Sequence, residues 1–256
     1  MGMPPPAAYA CAVRARPFRR LADIVAELAP GADPGELITA GEIEVDGFVI
    51  TNPEARVPAR ARVRRHVQPA LRGEAKLQAA LDSFTVTVRD RVALDVGAAA
   101  GGFTRTLLRA GARRVYAVDA GHGQLLGSLR QDPRVVNLEA TNVAALDRRL
   151  IPEPVEVVTV DVSYLSLVSA ISQLDRIELA PEAELIGLVK PMFELRRATA
   201  PTDDASLAAA LEAAERGVEA LGWAVVASVP SPVSGARGAR ELLLHACRPP
   251  EARPAG

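Results

Sequence analysis

Lysine is almost missing from this chain: of 30 basic residues, 28 are arginine and only Lys76 and Lys190 are lysine. Cysteine is equally scarce, with Cys11 and Cys247 near opposite ends. Two such distant thiols make neither a disulfide framework nor a metal-spaced cluster, and three scattered histidines add no zinc site. A metal-free protein of a reducing compartment, cytoplasmic in location, is the expectation. No apolar run reaches the ~18–20 residues that cross a bilayer, and the N-terminal stretch lacks the apolar core of a signal peptide. Nor is there a basic amphipathic helix with an aromatic edge, so no membrane partner is expected.

What is present suffices for two folded parts. With 256 residues, 49% of them hydrophobic, the chain has room for an α/β domain and a smaller module of ~60–70 residues. Residues 1–17 (a PPP run, small residues, then arginines) read as a disordered N-terminus. LADIVAEL from Leu21 reads as a helix ending at Pro30-Gly31. DPGELITAG reads as a second, with Asp33 as N-cap and Pro34 in its first turn. EIEVDGFVI is patterned as a hairpin turning at Asp46-Gly47, and VPARARVRRH as the next strand. These make residues 18–66 a small α+β module, followed by a basic linker over 67–74.

The main domain is expected over 75–248, with 249–256 as a tail. After a helix at AKLQAALDSF, five apolar strands alternate with helices, the signature of a doubly wound, Rossmann-like and mostly parallel sheet. They are RVALDVG, RVYAVDAG, RVVNLE, VEVVTVDVS and AELIGLVKP. A long amphipathic helix ends at Gly222, and WAVVASVP and ARELLLHAC then form an antiparallel hairpin at one edge.

Charge is segregated in the front part. Residues 21–55 carry eight acids and no lysine or arginine, whereas 56–72 carry six arginines and no acid. From the second group Arg62, Arg64, Arg65 and Arg72 are candidate contacts to nucleic-acid phosphates, because cations facing phosphates supply much of nucleic-acid affinity.

The chemistry concentrates at the carboxyl ends of the strands, where open α/β sheets bind ligands. Asp95-Val96-Gly97-Ala98-Ala99-Ala100-Gly101-Gly102-Phe103 is a glycine-containing strand-to-helix turn. Its D-x-G-x-x-x-G spacing lacks the middle glycine that admits a pyrophosphate, which favours a nucleoside with an amino-acid tail. Asp95 either orders this loop or meets the ligand amine. Asp119, at the end of the second strand, is placed to accept both ribose hydroxyls, its alternative being a turn or cap before Gly121. Asn142 follows the third strand and is a candidate adenine neighbour. Asp161 and Lys190 end the fourth and fifth strands, either as a working pair or as a structural ion pair. The two surviving lysines are either chance or chemistry: unlike guanidinium, an amine can give up its proton and act as a base.

In order and spacing, AKL at Ala75–Leu77, LDVGAAAGGFT, VYAVDAGHGQLLGSLRQDPRV, VDVSYLSL, LVKPMFE and the late Glu241 resemble the TlyA family. These are S-adenosylmethionine-dependent cytidine 2′-O-methyltransferases of ribosomal RNA, related to the FtsJ-like enzymes and often called hemolysins. The resemblance implies a Lys76-Asp161-Lys190-Glu241 catalytic tetrad. It implies S-adenosylmethionine held by Asp95, Gly97, Gly101, Gly102, Phe103, Asp119, Asn142 and Asp161, and an S4-like RNA-binding front module. The implied partner is ribosomal RNA or a ribosomal subunit. The chain departs from the family at Ala99 and Ala100, where hydroxyl residues are usual, and in the segment LRRATAPTDDAS after Glu194. Methyl transfer to a small acceptor, and a non-catalytic binding protein, are the alternatives.

Overall fold

The computed structural model describes residues 18–65, 70–235 and 238–250. The chain divides into two compact units, residues 1–68 and 69–256. The expected disordered stretch 1–17, residues 67–69 of the expected linker and 251–256 of the expected tail lie outside the described residues.

The first unit runs β1 (Phe18–Arg20), α1 (Leu21–Leu28), α2 (Pro34–Thr39), β2 (Ile43–Val45), β3 (Phe48–Val49), β4 (Arg56–Pro58) and β5 (Val63–Arg65). Leu21 and Val25 of α1 meet Ile38, Ile43 and Val57 in a small apolar core. The Asp33 carboxylate accepts from the Glu36 N–H at 3.0 Å, closing the start of α2 with Pro34 in its first turn. Asp46 and Gly47 both take positive φ, 51° and 94°, as a two-residue hairpin turn requires.

One local reading of this unit needs correction. VPARARVRRH is not one strand. It breaks after Pro58, where Ala61 N–H turns back to the Pro58 carbonyl at 2.8 Å, and its halves join different sheets. β4 pairs with β1, a strand with no alternating pattern to announce it, and β5 pairs with β2.

The segregated charges turn out to be complementary. The β2–β5 register sets Glu44 opposite Arg64, and these pair at 2.7 Å. Arg65 pairs with Glu42 at 2.8 Å, Arg20 with Glu54 at 2.8 Å and Arg19 with Glu27 at 2.5 Å. An acid-only run followed by an arginine-only run is what cross-strand pairing between those runs produces.

The second unit contains α3 (Arg72–Ser83), β6 (Val92–Val96), α4 (Gly102–Arg109), β7 (Arg114–Val118), α5 (Gly127–Gln131), β8 (Val135–Leu138) and β9 (Val155–Val160). It continues with α6 (Leu167–Ile171), β10 (Leu179–Val189), α7 (Pro191–Glu194), α8 (Asp204–Ala220), β11 (Ala224–Pro230) and β12 (Leu242–Cys247). α3 starts at Arg72, inside the expected linker, because the Glu74 carboxylate accepts the Leu71 N–H at 2.7 Å and closes the helix start there.

Seven strands form one sheet in the order β11-β12-β10-β9-β6-β7-β8. β8, β7, β6, β9 and β10 are parallel, and β12 is antiparallel to both β10 and β11. The last two strands do pair as a hairpin, but β12 inserts beside β10 and only β11 forms the edge. Strand alternation feeds two cores, one on each face. Leu94, Val96, Val158 and Leu185 pack with Ala210, Ala214 and Trp223 on one side. Ala93, Val157 and Ile186 pack with Leu77, Phe103 and Leu107 on the other.

Leu94 is fully buried on the central strand. Leu94→Ala is expected to cost about 2–5 kcal/mol in denaturant unfolding of the second unit, the range for a buried leucine truncated without collapse of its site.

Candidate active site

The sheet registers bring three strand ends together. Asp161 N–H donates to the Val96 carbonyl at 2.9 Å, which draws the end of β9 against β6. β10 lies beside β9 with Gly187 level with Val160, carrying Lys190 to the same edge. On its other side, Val189 of β10 is level with Leu242 of antiparallel β12, so one further step sets Glu241 against Lys190. Lys76 arrives from α3, outside the sheet.

The four side chains meet. Lys190 Nζ lies 2.5 Å from Asp161 Oδ1, and Lys76 Nζ lies 3.4 Å from Asp161 Oδ2 and 2.7 Å from Glu241 Oε2. Lys190 also donates to the Val162 carbonyl at 2.8 Å. Lys76 and Glu241 are buried, while Asp161 and Lys190 keep a small exposed face. Two cations and two anions make a neutral cluster, in which each buried charge has an opposite partner.

Asp161 also borders a cavity of about 210 Å³. Gly97, Ala99, Asp119, Gln124, Thr141, Val143 and Tyr164 line it as well. Gly97 has φ of +90°, and a Cβ there would stand 2.5 Å from the Asp161 carbonyl oxygen. Only glycine allows the loop after β6 to lie this close to the tetrad. Asp119 accepts from Ala99 N–H at 2.8 Å and from Gly121 N–H at 2.6 Å, and its remaining lone pairs border the cavity.

Five of the residues expected to hold the cofactor stand back from the cavity. Asp95 is completely buried, accepting from the Thr104 and Thr159 hydroxyls at 2.6 and 3.0 Å, so it orders the loop from beneath. Asn142 accepts from Ala144 N–H and caps a short turn, while its neighbours Thr141 and Val143 line the cavity. Gly102 packs backbone to backbone against Gly73, and the Phe103 ring lies in the core. Gly101 is the N-cap of α4. Gln124, Thr141, Val143 and Tyr164 received no role from the sequence. For Tyr164 a signal existed, since it follows Asp161 by three residues in DVSY. Its phenol pKa is raised by burial and then by the nearby Asp119 charge. The loop bearing it is held by Glu194, which accepts from Leu167 N–H at 2.7 Å.

Of the four expected RNA-contacting arginines, Arg64 and Arg65 are engaged with Glu44 and Glu42. Arg62 and Arg72 are exposed, without an ion pair among the described residues.

A family model described as FtsJ-like methyltransferase matches residues 70–248. The chain is 36% identical to the 16S/23S rRNA (cytidine-2′-O)-methyltransferase TlyA of Mycobacterium tuberculosis, covering 82% of this chain and 81% of the relative. The chain belongs to the TlyA family of FtsJ-like methyltransferases. Campylobacter jejuni supplies a second relative, named 23S rRNA (cytidine-2′-O)-methyltransferase TlyA, at 29% identity over 68% of this chain and 69% of the relative. A solved structure from Streptococcus thermophilus, named a hemolysin, superposes with TM-score 0.67 at 28% identity, covering 92% of this chain and 90% of that one. Among the described residues no helix is long and apolar enough to cross a membrane.

Burial pushes the Asp95 pKa up to about 6, against the pull of its two hydroxyl donors. With the folded value above the unfolded one, the protonated form is favoured by folding; that contribution is complete below about pH 4 and is lost as pH rises through about 6. Unfolding stability is therefore expected to fall by about 1 kcal/mol between about pH 5 and pH 7 on account of Asp95. Asp95→Asn should remove that slope in parallel denaturant titrations.

Proposed function

We propose that this enzyme transfers the methyl group of S-adenosylmethionine to a ribose 2′-hydroxyl of ribosomal RNA. The observation that carries the reading is the convergence of the chain's only two lysines on one carboxylate, Asp161, beside a nucleoside-sized cleft. The rRNA cytidine named for the relatives is the acceptor we assign here. Ribosomes place the reaction in the cytoplasm.

The cleft suits the cofactor chemically. Asp119 offers a carboxylate to vicinal hydroxyls, Val118 and Val143 offer apolar walls to a flat base, and Gly97 leaves open backbone beside Asp161. When bound, S-adenosylmethionine supplies an electrophilic methyl carbon on a sulfonium. The protein's task is then to hold the hydroxyl in line and to take its proton.

Lys190 is suited to both. To act as base, the Lys190 ammonium first gives a proton to solvent; the amine then has two N–H bonds and one lone pair, and two acceptors stand within reach of Nζ, Asp161 Oδ1 and the Val162 carbonyl. With both N–H bonds so used, the lone pair is left for the acceptor hydroxyl. The hydroxyl proton would pass to Nζ as the bound cofactor's methyl carbon–sulfur bond gives way to the new carbon–oxygen bond and the cofactor leaves as a neutral thioether, and Asp161 would balance the ammonium that forms. Lys76, fixed by Glu241, holds the acceptor ribose. Arginine cannot take this role, since guanidinium does not release its proton.

The first unit reads as an S4-like RNA module working with few cations. Arg56, Arg60 and Arg62 are exposed and unpaired among the described residues, and they supply this unit's phosphate contacts.

The test is methyl-labelled cofactor offered to ribosomal subunits, naked ribosomal RNA and free nucleosides. Label in the RNA fraction is expected, with transfer reduced at least ~10²-fold in Lys190→Met and Lys190→Arg while cofactor binding by calorimetry is kept. Label confined to nucleosides would transfer the enzyme to small-acceptor chemistry, and full turnover by Lys190→Met would end its assignment as base.

A further inference from the structure

Three members of the tetrad are fixed by the hydrogen-bond ladders of the sheet. Lys76 has no such support, because α3 precedes the first strand of the sheet and only packs upon it. Its apolar face, Leu77, Ala80 and Phe84, sets the depth of the helix. Apolar contacts tolerate sliding along the helix axis, and a slide would carry Nζ away from Glu241. Something directional has to set that coordinate.

Glu74 provides it. Two residues before Lys76, it is buried at the N-terminal end of α3, where its carboxylate accepts the Leu71 N–H. The same carboxylate forms a buried ion pair with Arg105 and a second pair with Arg109 at 2.8 Å. Both arginines belong to α4. Beside them Gly73 and Gly102 touch backbone to backbone: a Cβ on Gly102 would lie 2.9 Å from Gly73 Cα. α4 begins in the cofactor loop, with Gly101 as its N-cap and Arg105 N–H donating to the Gly101 carbonyl. One helix turn therefore connects the loop that borders the cleft to the residue that anchors α3.

We infer that Glu74 and Arg105 form a positioning pair that fixes Lys76 relative to the cofactor loop, so that filling the cleft strengthens acceptor binding through α3. The inference rests on the reading of Lys76 as the group that holds the acceptor. Neither Glu74 nor Arg105 lines the cleft or meets the tetrad. Their effect on the acceptor passes through Lys76, and by linkage the acceptor strengthens cofactor binding by the same factor.

Replacing both partners together spares the fold the penalty of a buried charge stripped of its opposite. The variant to make is therefore Glu74→Gln with Arg105→Met, in which glutamine still accepts the Leu71 N–H. Gly73→Ala, whose Cβ would press to 3.2 Å on the Phe103 ring, separates the same helices without altering charge and serves if the first variant unfolds. Each is made in the wild-type and in the Lys76→Met background. Full-length protein is assayed for labelled transfer to ribosomal RNA, for cofactor affinity by calorimetry, and for RNA affinity with and without S-adenosylhomocysteine.

With Lys76 present, the pair's loss is expected to lower kcat/KM for RNA by roughly tenfold or more, as displacement of a positioned group does. Cofactor affinity in the absence of RNA should stay within about twofold, and S-adenosylhomocysteine should no longer tighten RNA binding. In the Lys76→Met background the same changes should cost nothing further. Costs that add in that background, or unchanged coupling in the folded double variant, would overturn the inference. Full activity in Lys76→Met alone would instead defeat the reading of the site on which it rests.

Discussion

The carboxylate of Asp161 is the point on which the active site turns. It accepts from Lys190 with one oxygen and from Lys76 with the other, and its backbone N–H ties the end of β9 to β6. Without it two ammonium groups would face one another in a largely buried space, with Glu241 as their one remaining counter-charge. Each element that reaches the site is placed with respect to this group. β10 brings Lys190, β12 brings Glu241, α3 brings Lys76, and Gly97 bends the loop after β6 to within touching distance.

Sheet topology explains why such a cluster forms where it does. Parallel strands end together at one edge, so residues just past β9 and β10 meet without further design. Antiparallel β12 runs the other way, and the residue just before it arrives at that same edge. Inserting β12 next to β10, instead of leaving it outermost, is what gives Glu241 access to Lys76. The hydrogen-bond ladders fix these three positions; the fourth depends on helix packing. The strand side of the site is thus set by the sheet, and the α3 side by the anchoring of that helix on α4 through Glu74.

Much of this was legible in the sequence, and for identifiable reasons. Buried parallel strands such as VALDV and VEVVTV are apolar runs of strand length, and each was read where it lies. Asp161 and Lys190 were found because a charge closing an apolar strand has few other uses, and scarcity drew attention to both lysines. Glu241 came from family resemblance alone, since nothing in its neighbourhood announces that β12 inserts beside β10. The lining of the cavity beside Asp161 was only partly read. Asp95 takes the loop-ordering role of its two readings, accepting from Thr104, whereas Asn142 was judged by position and its side chain turns to Ala144 instead of to the cavity. Arg64 and Arg65 look free in a basic run, and only the β2–β5 register reveals that Glu44 and Glu42 engage them. Glu74 gave no signal because its partner lies 31 residues away on another helix.

The shared carboxylate can be tested by changing its charge and little else. Asp161→Asn keeps the volume and the backbone bond to Val96, but can no longer balance two lysines. Single-turnover transfer to ribosomal RNA, measured beside calorimetry with S-adenosylhomocysteine, separates chemistry from cofactor binding. The account predicts a rate lowered about 10²-fold or more, with cofactor affinity changed only a few-fold, as expected when a group that stabilises developing charge is lost. Transfer at the wild-type rate by the folded variant would contradict it.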